Sequence, residues 1–257
     1  MKDKLMIAIV IMGMITACSK DDADSIDTNS ETDATIEETG NYYAQGGGVI
    51  DSDGNSYNTV IIGNQEWMAE NLRTENFPII TDQSQFGNST SGAMCYYDND
   101  PTTATNGYGA LYNAYAARGY ICPSGWHIPN ATEVVELISY IDSTSIIASN
   151  PGSADRVTSD SSAYLYRQKG KWINEVITST NETGFSALPT GSRRLGQTSN
   201  SGYTYDRESF AGWWTQTGGS SFSMAFSMFT FNSGIGGLVS STYWGSSVAL
   251  SCRCVKD

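Results

Sequence analysis

The sequence contains a single histidine, His127, among 257 residues. A serine hydrolase needs a histidine within hydrogen-bonding reach of an activated serine, and no Gly-x-Ser-x-Gly motif supplies such a serine. A zinc site takes three or four ligands, mostly His and Cys, and one histidine beside cysteines that we expect to be oxidised does not supply them. We therefore interpret His127, which stands directly before a predicted helix, as a structural, hydrogen-bonded residue.

Other signatures of binding sites are also absent. The sequence has no phosphate-binding loop and no dinucleotide fingerprint. Beyond its N-terminus it has no apolar stretch of the roughly 20 residues that cross a membrane. Basic residues are scarce, with 14 Lys and Arg against 27 Asp and Glu and a net charge of −13, which argues against nucleic acid as a partner. We predict no cofactor, no bound metal and no enzymatic activity.

The N-terminus has the organisation of an export signal. Residues 1–4 include two lysines, and the apolar stretch 5–14 is much shorter than a membrane-spanning helix. It ends in Ile15-Thr16-Ala17-Cys18, which resembles the lipobox of bacterial lipoproteins, where small residues precede a lipid-modified cysteine. We predict that residues 1–17 are a signal peptide and that Cys18 carries the lipid anchor, in which one of the acyl chains is palmitate.

Residues 18–48 are predicted to form an acidic tether. Most of residues 18–40 are Ser, Thr, Asp and Glu, which bury too little apolar surface to fold. The acidic run at residues 19–24 resembles the export signal of Bacteroidetes lipoproteins, which implies transport to the outer face of the outer membrane. We expect an outer-membrane protein that is held by its lipid and exposed at the cell surface.

We predict one domain over residues 49–257, because this part has no linker-like break and no internal repeat. The chain has 15 Tyr and 6 Trp but few charges, as is typical of an exported, loop-rich domain with β-strands. Exposed aromatic rings suit glycan binding, although we expect most of them to fill the core. At least one of the adjacent Trp213 and Trp214 should be buried, because neighbouring strand residues face opposite sides.

Four cysteines remain once Cys18 is set aside. An even number in an exported chain predicts two disulfides. Cys252 and Cys254 would lie on the same face of a predicted strand and could not easily bond each other. Cys95 and Cys122 would then each pair with one of them, in either order. The competing arrangement is a single Cys95–Cys122 bridge with a free pair at the C-terminal end.

The start of the domain reads as two strands around a turn. Residues 49–50 and 57–62 have strand character, and Asp51-Ser52-Asp53-Gly54-Asn55 separates them. An EF-type calcium loop would need glycine at its sixth position and glutamate at its twelfth. Gly54 stands fourth and Ile62 twelfth, so we predict a turn rather than a calcium site.

Helical periodicity appears at two places. A short helix is predicted over residues 108–117. A longer one is predicted to begin at Asn130 as N-cap, with Glu133 completing a capping box and apolar side chains on one face. Alternating residues predict strands over 223–231 and 247–255.

Several motifs follow one another in the order of a known family. They are Asp53-Gly54-Asn55-x-Tyr57, Val60-x-Ile62-Gly63-x-Gln65-x-Trp67-Met68-Ala69-Glu70-Asn71-Leu72, Cys95-Tyr96-Tyr97-Asp98-Asn99-Asp100, Tyr108-Gly109-Ala110-Leu111-Tyr112-Asn113, Cys122-Pro123-x-Gly125-Trp126-His127-Ile128-Pro129, Gly184-Phe185 and Arg253-Cys254-Val255-Lys256-Asp257. Together they resemble the Fibrobacter succinogenes major paralogous domain, a family of exported and lipid-anchored bacterial proteins. Tyr96 stands where the family usually has Trp, and Cys252 is additional to its usual cysteines, which puts a standard disulfide pairing in doubt.

The Gly-Trp-x-x-Pro segment followed by a helix also resembles the formylglycine-generating and C-type lectin-like proteins. This resemblance implies an α+β fold, a single C-type lectin-like domain with two helices, twisted antiparallel strands and long loops. An oxidase of the formylglycine-generating type would need a reactive cysteine pair, for which Cys252 and Cys254 are the candidates.

In such a fold the polar, Gly- and Ser-rich stretch 193–207 would lie in the ligand-binding long-loop region. Its candidate ligand contacts are Arg193, Tyr203, Tyr205, Asp206 and Arg207. We expect a non-catalytic binding or adhesion module for glycans or cell-surface proteins. The alternatives are a formylglycine-generating-like oxidase and a structural component of the envelope.

Overall fold

The computed structural model describes residues 43–141, 157–158, 171, 179–194, 203–205, 209–216, 222–230, 236–245 and 248–257. They belong to one compact unit, residues 38–257. The predicted signal peptide, Cys18, Asp206 and Arg207 lie outside the described residues. Within these ranges no helix is both long and apolar enough to cross a membrane.

The described residues contain many short strands and three α-helices. The helices are α1 (Gln83–Gly87), α2 (Ala114–Ala117) and α3 (Ala131–Ile141), with a 3-10 turn at Tyr97–Asn99 and a π-helical turn at Ala104–Tyr108. The strands are β1 (Ala44–Gln45), β2 (Val49–Ile50), β3 (Ser56–Tyr57), β4 (Thr59–Ile62), β5 (Gln65–Met68), β6 (Met94–Cys95), β7 (Leu111–Asn113), β8 (Trp126–His127), β9 (Val157–Thr158), β10 (Ser192–Arg194), β11 (Tyr203–Tyr205), β12 (Phe210–Thr215), β13 (Phe222–Thr230), β14 (Gly236–Gly245), β15 (Val248–Leu250) and β16 (Val255–Lys256).

The strands form three sheets and a small hairpin. Their orders are β1-β4-β5-β16-β8, β11-β10-β15-β7-β6 and β12-β13-β14-β9, and β2 pairs with β3. All pairings between these strands are antiparallel. The first and last strands therefore share a sheet, in which Val255 lies opposite both Trp67 and His127. The mixed fold of antiparallel sheets and few helices agrees with the predicted α+β class.

The turn predicted at residues 51–55 is confirmed. One carboxylate oxygen of Asp51 accepts the backbone N–H of Asp53 at 3.0 Å and of Asn55 at 2.9 Å, and Tyr57 donates its hydroxyl to the other at 2.7 Å. Partial burial alone would raise the pKa of Asp51, but these hydrogen bonds outweigh it and hold the pKa below its usual value. Among the described residues, no three His, Cys, Asp or Glu side chains are grouped as metal ligands would be.

Two predicted boundaries differ from the structure. Strand β1 pairs with β4 at Ala44 opposite Ile61, so the folded sheet begins inside the segment predicted to be tether. The short helix predicted over residues 108–117 begins only at Ala114. The preceding residues form β7 because their backbone groups pair with β6 on one side and β15 on the other. Asn113 then caps α2 by accepting the N–H of Ala116 at 3.0 Å.

Helix α3 begins as predicted. The Asn130 side chain accepts the N–H of Glu133 at 3.0 Å, and the Glu133 carboxylate accepts the N–H of Asn130 at 2.7 Å, which confirms the capping box. The apolar face of α3 packs on the first sheet. Its buried residues and their partners are Val134, Leu137, Ile138, Val60, Ile62, Trp67 and Val255.

The two adjacent tryptophans of β12 are both buried, on opposite sides of the strand. Trp213 packs with Trp67 and Phe185 in the cluster beneath α3. Trp214 packs in a second cluster with Tyr112 and Leu250. The two tryptophans of β12 therefore fill the core on both sides of the strand, which confirms the prediction that at least one of them is buried.

One of the two predicted disulfides is present. Cys122 is bonded to Cys254, with the two Cα atoms 6.0 Å apart. Cys95 and Cys252 are free, fully buried thiols. Burial raises the pKa of Cys95 to about 11, and it raises the pKa of Cys252 further, so both are protonated at neutral pH.

The second predicted disulfide is wrong because of side-chain alternation across β6, β7 and β15. Cys95 lies opposite Leu111 and packs with it on one face of the sheet. Cys252 packs on the other face with Met94 and Leu250. Cys252 follows β15 and continues on the face of Leu250, so the two sulfurs belong to different core clusters and do not bond.

The predicted C-terminal strand is interrupted between β15 and β16. This part of the chain leaves the second sheet after Leu250 and enters the first at Val255. In between, the carbonyl oxygens of Cys252 and Cys254 accept the N–H groups of Leu72 and Met68, at 2.9 and 3.0 Å. The crossing segment is thus hydrogen-bonded to the chain that follows β5.

Candidate functional site

A polar groove of about 590 Å³ lies at the β1 edge of the first sheet. This volume lies within the range of roughly 300–1,000 Å³ that is usual for small-molecule sites. Four of its lining side chains are amides, and we call it the amide groove. It is lined by Tyr43, Gln45, Asn58, Val60, Ala69, Glu70, Asn106, Gly107, Lys171, Asn181, Gly184, Ser186 and Leu188.

One wall of the amide groove carries a half-buried tyrosine, Tyr43. Its ring lies against Gly184, where an added Cβ atom would come within 2.7 Å of a ring carbon. Gly184 also has φ +65°, a conformation that glycine adopts without strain. Only glycine satisfies both conditions, so Gly184 fixes where the tyrosine ring stands at the groove.

The same wall has an unusual backbone. Asn181 and Ser186 have φ values of 57° and 56°, in the left-handed region that non-glycine residues seldom adopt. Two hydrogen bonds hold them there: Asn181 Nδ2 donates to Ser186 Oγ at 2.9 Å, and Ser186 N donates to Asn181 Oδ1 at 2.7 Å. Strained backbone of this kind clusters at ligand sites, as do π-helical turns such as the one at Ala104–Tyr108.

The polar side chains of the groove include two with unused hydrogen-bonding capacity. Asn58 and Asn106 are exposed, and no hydrogen bond of either side-chain amide is found among the described residues. Each amide can donate and accept. Glu70 is already engaged, because its carboxylate accepts the N–H of Asn58 at 2.8 Å and lies 3.4 Å from the guanidinium of Arg73.

A buried group of hydrogen-bonded residues connects segments that line the groove. The side chain of Asn71 makes most of its hydrogen bonds. The Asn71 oxygen accepts from Arg253, at 2.8 and 3.1 Å, and from the Trp213 indole at 2.8 Å. The Asn71 nitrogen donates to the carbonyl of Tyr108 at 2.9 Å, where the π-helical turn ends. We call Asn71, Phe185, Trp213 and Arg253 the Asn71 centre.

Arg253 links the chain around Phe185 to this centre. Its guanidinium also donates to the carbonyl of Phe185 and lies over the Phe185 ring, 4.1 Å from the ring centroid. Burial lowers the pKa of Arg253 to about 9, which still leaves it charged at neutral pH. Arg253 is 1% exposed, so its charge is inaccessible to a ligand and serves to hold together segments that are distant in sequence.

Comparison with known proteins identifies the family. The family model described as the Fibrobacter succinogenes major domain matches residues 60–256. The chain belongs to this family. No curated protein and no solved structure matches the chain.

The Fibrobacter succinogenes major domain is not known as an enzyme family. The motifs by which the sequence resembles it meet in the Asn71 centre. Asn71 comes from the motif after β5, Phe185 from Gly184-Phe185, and Arg253 from the C-terminal motif. At these positions the family motifs supply residues of the buried core.

The stretch 193–207, which was predicted to contact a ligand, does not form an exposed loop at Arg193. Arg193 is 3% exposed and donates to the carbonyls of Ile80 at 2.9 Å and Thr81 at 2.5 Å, so its prediction as a ligand contact is wrong. Tyr203 and Tyr205 belong to β11, which pairs with β10 at a sheet edge. The side chains of both tyrosines, with Asp206 and Arg207, lie outside the described residues.

The reactive cysteine pair that an oxidase would need is not available as two thiols. Cys254 is bonded to Cys122. Cys252 is completely buried, and burial raises its thiol pKa well above the usual value. A nucleophilic cysteine is a thiolate with some access to solvent, and Cys252 meets neither condition.

His127 has the hydrogen-bonded role predicted for it. Its Nε2 lies 2.8 Å from Glu133 and its Nδ1 lies 2.7 Å from Asp257. Partial burial alone would lower the pKa of His127, but the hydrogen bonds to Asp257 and Glu133 outweigh it and raise the pKa. The imidazolium therefore joins the capping residue of α3 to the chain that follows β16.

Replacing His127 by glutamine should change how stability depends on pH. Because the folded-state pKa is raised, the contribution of His127 is fully present below the unfolded pKa of 6.5 and is lost as pH rises through the folded-state value. The difference in the free energy of unfolding between wild type and variant should be about 1 kcal/mol larger at about pH 6 than at about pH 9. The effect is small because the ring is partly exposed.

Urea unfolding of both proteins across this pH range measures the effect. No other histidine titrates in the window, since the chain has only one. A constant difference between wild type and variant from pH 6 to pH 9 would show that the two carboxylates do not hold the imidazolium.

Proposed function

We propose that this protein is a lipoprotein of the outer membrane, displayed at the cell surface, whose single C-type lectin-like domain binds glycans without catalysis. The amide groove is the proposed site. The observation that carries the proposal is the combination, in one groove, of a half-exposed tyrosine ring and four amide side chains.

Glycans match this groove chemically. Sugar hydroxyls both donate and accept hydrogen bonds, as side-chain amides do. Asn58 and Asn106 have unused capacity of both kinds, and the Tyr43 ring offers an apolar surface for the face of a sugar ring. The side chains of Gln45 and Asn181 add further polar groups. The strained turn at Asn181 and Ser186 is held by its own hydrogen bonds, so the groove needs little ordering when a ligand binds.

The anchoring part of the proposal is supported by the sequence. Residues 1–17 have the pattern of an export signal that ends before Cys18. An acidic, polar segment follows and would hold the domain away from an anionic surface. The lectin-like part is supported by the resemblance of the Gly125-Trp126 segment and by the first sheet, which joins β1 and β16. Cell-surface proteins are the alternative ligand class, and a purely structural envelope role is the alternative function.

A glycan array probed with the detergent-solubilised mature protein tests the proposal. We expect binding to a defined subset of glycans, and we expect the double variant Asn58→Ala/Asn106→Ala to bind them about tenfold more weakly. Two lost neutral hydrogen bonds, at about 0.5–1.5 kcal/mol each, give a loss of this size.

Asn64→Ala is the matched control, because Asn64 is an exposed asparagine outside the groove. It should bind like wild type. A wild-type protein that binds no glycan would exclude the glycan function. Equal binding by the double variant and Asn64→Ala would exclude the amide groove as the site.

A further inference from the structure

A second concavity lies at the other edge of the same sheet. It has a volume of about 530 Å³ and borders β8, whereas the amide groove borders β1. Four inter-strand steps of roughly 4.8 Å separate these edges, about 19 Å in all. We call it the stapled cleft. It is lined by Ala117, Arg118, Gly119, Tyr120, Cys122, Pro123, Ser124, Gly125, Trp126, His127, Ile128, Gln216 and Asp257.

Covalent and hydrogen bonds fix the wall of the stapled cleft. The Cys122–Cys254 disulfide ties the loop between α2 and β8 to the C-terminal segment. Within the loop, Trp126 N donates to Pro123 O at 3.0 Å, and Asp257 N donates to Gly125 O at 3.0 Å. A site that is already ordered loses little conformational freedom when a ligand binds.

Two aromatic rings border the cleft. Tyr120 is fully exposed, whereas Trp126 is half-buried and packs against the core. The exposure of Tyr120 is informative, because a large ring entirely in water contributes little to the stability of the fold. Tyrosine and tryptophan rings offer an apolar face together with a polar edge. This combination suits a ligand that is itself apolar on one face and polar at its rim.

The charges of the cleft are largely balanced. His127, with its raised pKa, lies between Asp257 and Glu133. Arg118 adds one positive charge at the rim. Arg118 and Asp257 thus line the cleft with charges of opposite sign, which favours neither an acidic nor a basic ligand. The exposed hydroxyl of Ser124 and amide of Gln216 supply neutral hydrogen-bonding groups.

We propose that the stapled cleft is a second saccharide-binding site, in which a neutral sugar ring stacks on Tyr120 and Trp126. The ligand class rests on the proposed glycan function of the domain, whereas the site itself is independent of the amide groove. The chain would then bind glycans at two sites, on opposite edges of one sheet. A polymer with repeated sugars would be bound more firmly than a single terminal sugar.

Affinity gel electrophoresis with xylan, yeast mannan or soluble β-glucan in the gel tests the proposal. We expect at least one polysaccharide to retard the wild-type protein, and Tyr120→Ala to weaken that interaction about three- to tenfold, as expected for one lost aromatic contact. Tyr120 is fully exposed, so this variant should keep its fold, which circular dichroism will show. Tyr140→Ala is the matched control, an exposed tyrosine outside both sites.

The outcomes separate the two proposals. If Tyr120→Ala and Tyr140→Ala migrate alike while Asn58→Ala/Asn106→Ala loses retardation, the stapled cleft is not a sugar site but the amide groove is. If no polysaccharide retards the wild type and the glycan array is also blank, both proposals fail. A proline-rich peptide that binds the wild type but not Tyr120→Ala, in the absence of sugar binding there, would assign the cleft to peptides and overturn the inference.

Discussion

Replacing Asn71 by leucine should lower the free energy of unfolding by about 3 to 5 kcal/mol, the usual cost of leaving a buried charge without its partner. The oxygen of Asn71 accepts three hydrogen bonds, two from Arg253 and one from Trp213. Leucine has a similar volume but accepts none. Arg253 is 1% exposed, and of its hydrogen bonds to described residues its guanidinium would keep the one to Phe185. Since domains unfold with about 5–15 kcal/mol in all, this variant should be close to unfolding.

A double-mutant cycle tests the reason for this loss. Arg253→Met alone should cost less, about 1 to 3 kcal/mol, because it leaves neutral acceptors unpaired rather than a charge. Adding Arg253→Met to Asn71→Leu should recover part of the stability, because the unpaired charge is then gone. Urea unfolding gives all four corners of the cycle.

Lys256→Met is the control for Arg253→Met, because it removes a cation from the same segment at an exposed ion pair with Glu66. We expect a change of at most about 1 kcal/mol there. If the Asn71 and Arg253 variants were additive, the two residues would not be coupled, and the role given to the Asn71 centre would be wrong.

The elements predicted well from the sequence are those fixed by short-range signals. The turn after Asp51 needs only residues up to Tyr57. The capping box of α3 is complete within four residues, from Asn130 to Glu133. In both, a side chain satisfies backbone groups a few positions away, and the sequence displays that spacing directly.

The errors arise where distant backbone decides the outcome. The helical spacing at Leu111 and Tyr112 is real, yet both residues are in β7 because β6 and β15 supply partners on both sides. Arg193 looked like a ligand contact in a polar stretch. It is instead buried and donates hydrogen bonds to the carbonyls of Ile80 and Thr81, more than a hundred residues earlier in the chain. No local pattern carries that information.

The candidate site was missed for the same reason. The amide groove is assembled from β1, the end of β5, the π-helical turn and the chain around Asn181, and only the fold brings them together. The sequence did mark Asn71, Phe185 and Arg253 through the family motifs. It did not reveal that they meet, because a motif identifies a residue type at a position and not its partner in space. The separation of Cys95 from Cys252 likewise depended on the strand pairing, which places the two side chains in different core clusters.

Removing the disulfide by Cys122→Ala/Cys254→Ala should lower the free energy of unfolding by about 4 to 5 kcal/mol. The bond closes a loop with a sequence separation of 132 residues, and the loss of chain entropy in the unfolded state grows with that length to roughly 5 kcal/mol. The bond also holds the crossing segment between β15 and β16, next to the Asn71 centre. Because Cys122 lines the stapled cleft, the loss of the bond should also loosen that cleft.

The matched control is Cys95→Ala/Cys252→Ala, which removes the two buried thiols and keeps the disulfide. Each small truncation should cost about 1 kcal/mol, and this variant should stay sensitive to reductant, whereas the disulfide variant should not. Thiol titration of the unfolded mature protein should find two free thiols in the wild type and none in the control. Finding none in the wild type would mean that Cys95 and Cys252 are bonded, and their placement in different core clusters would then be wrong.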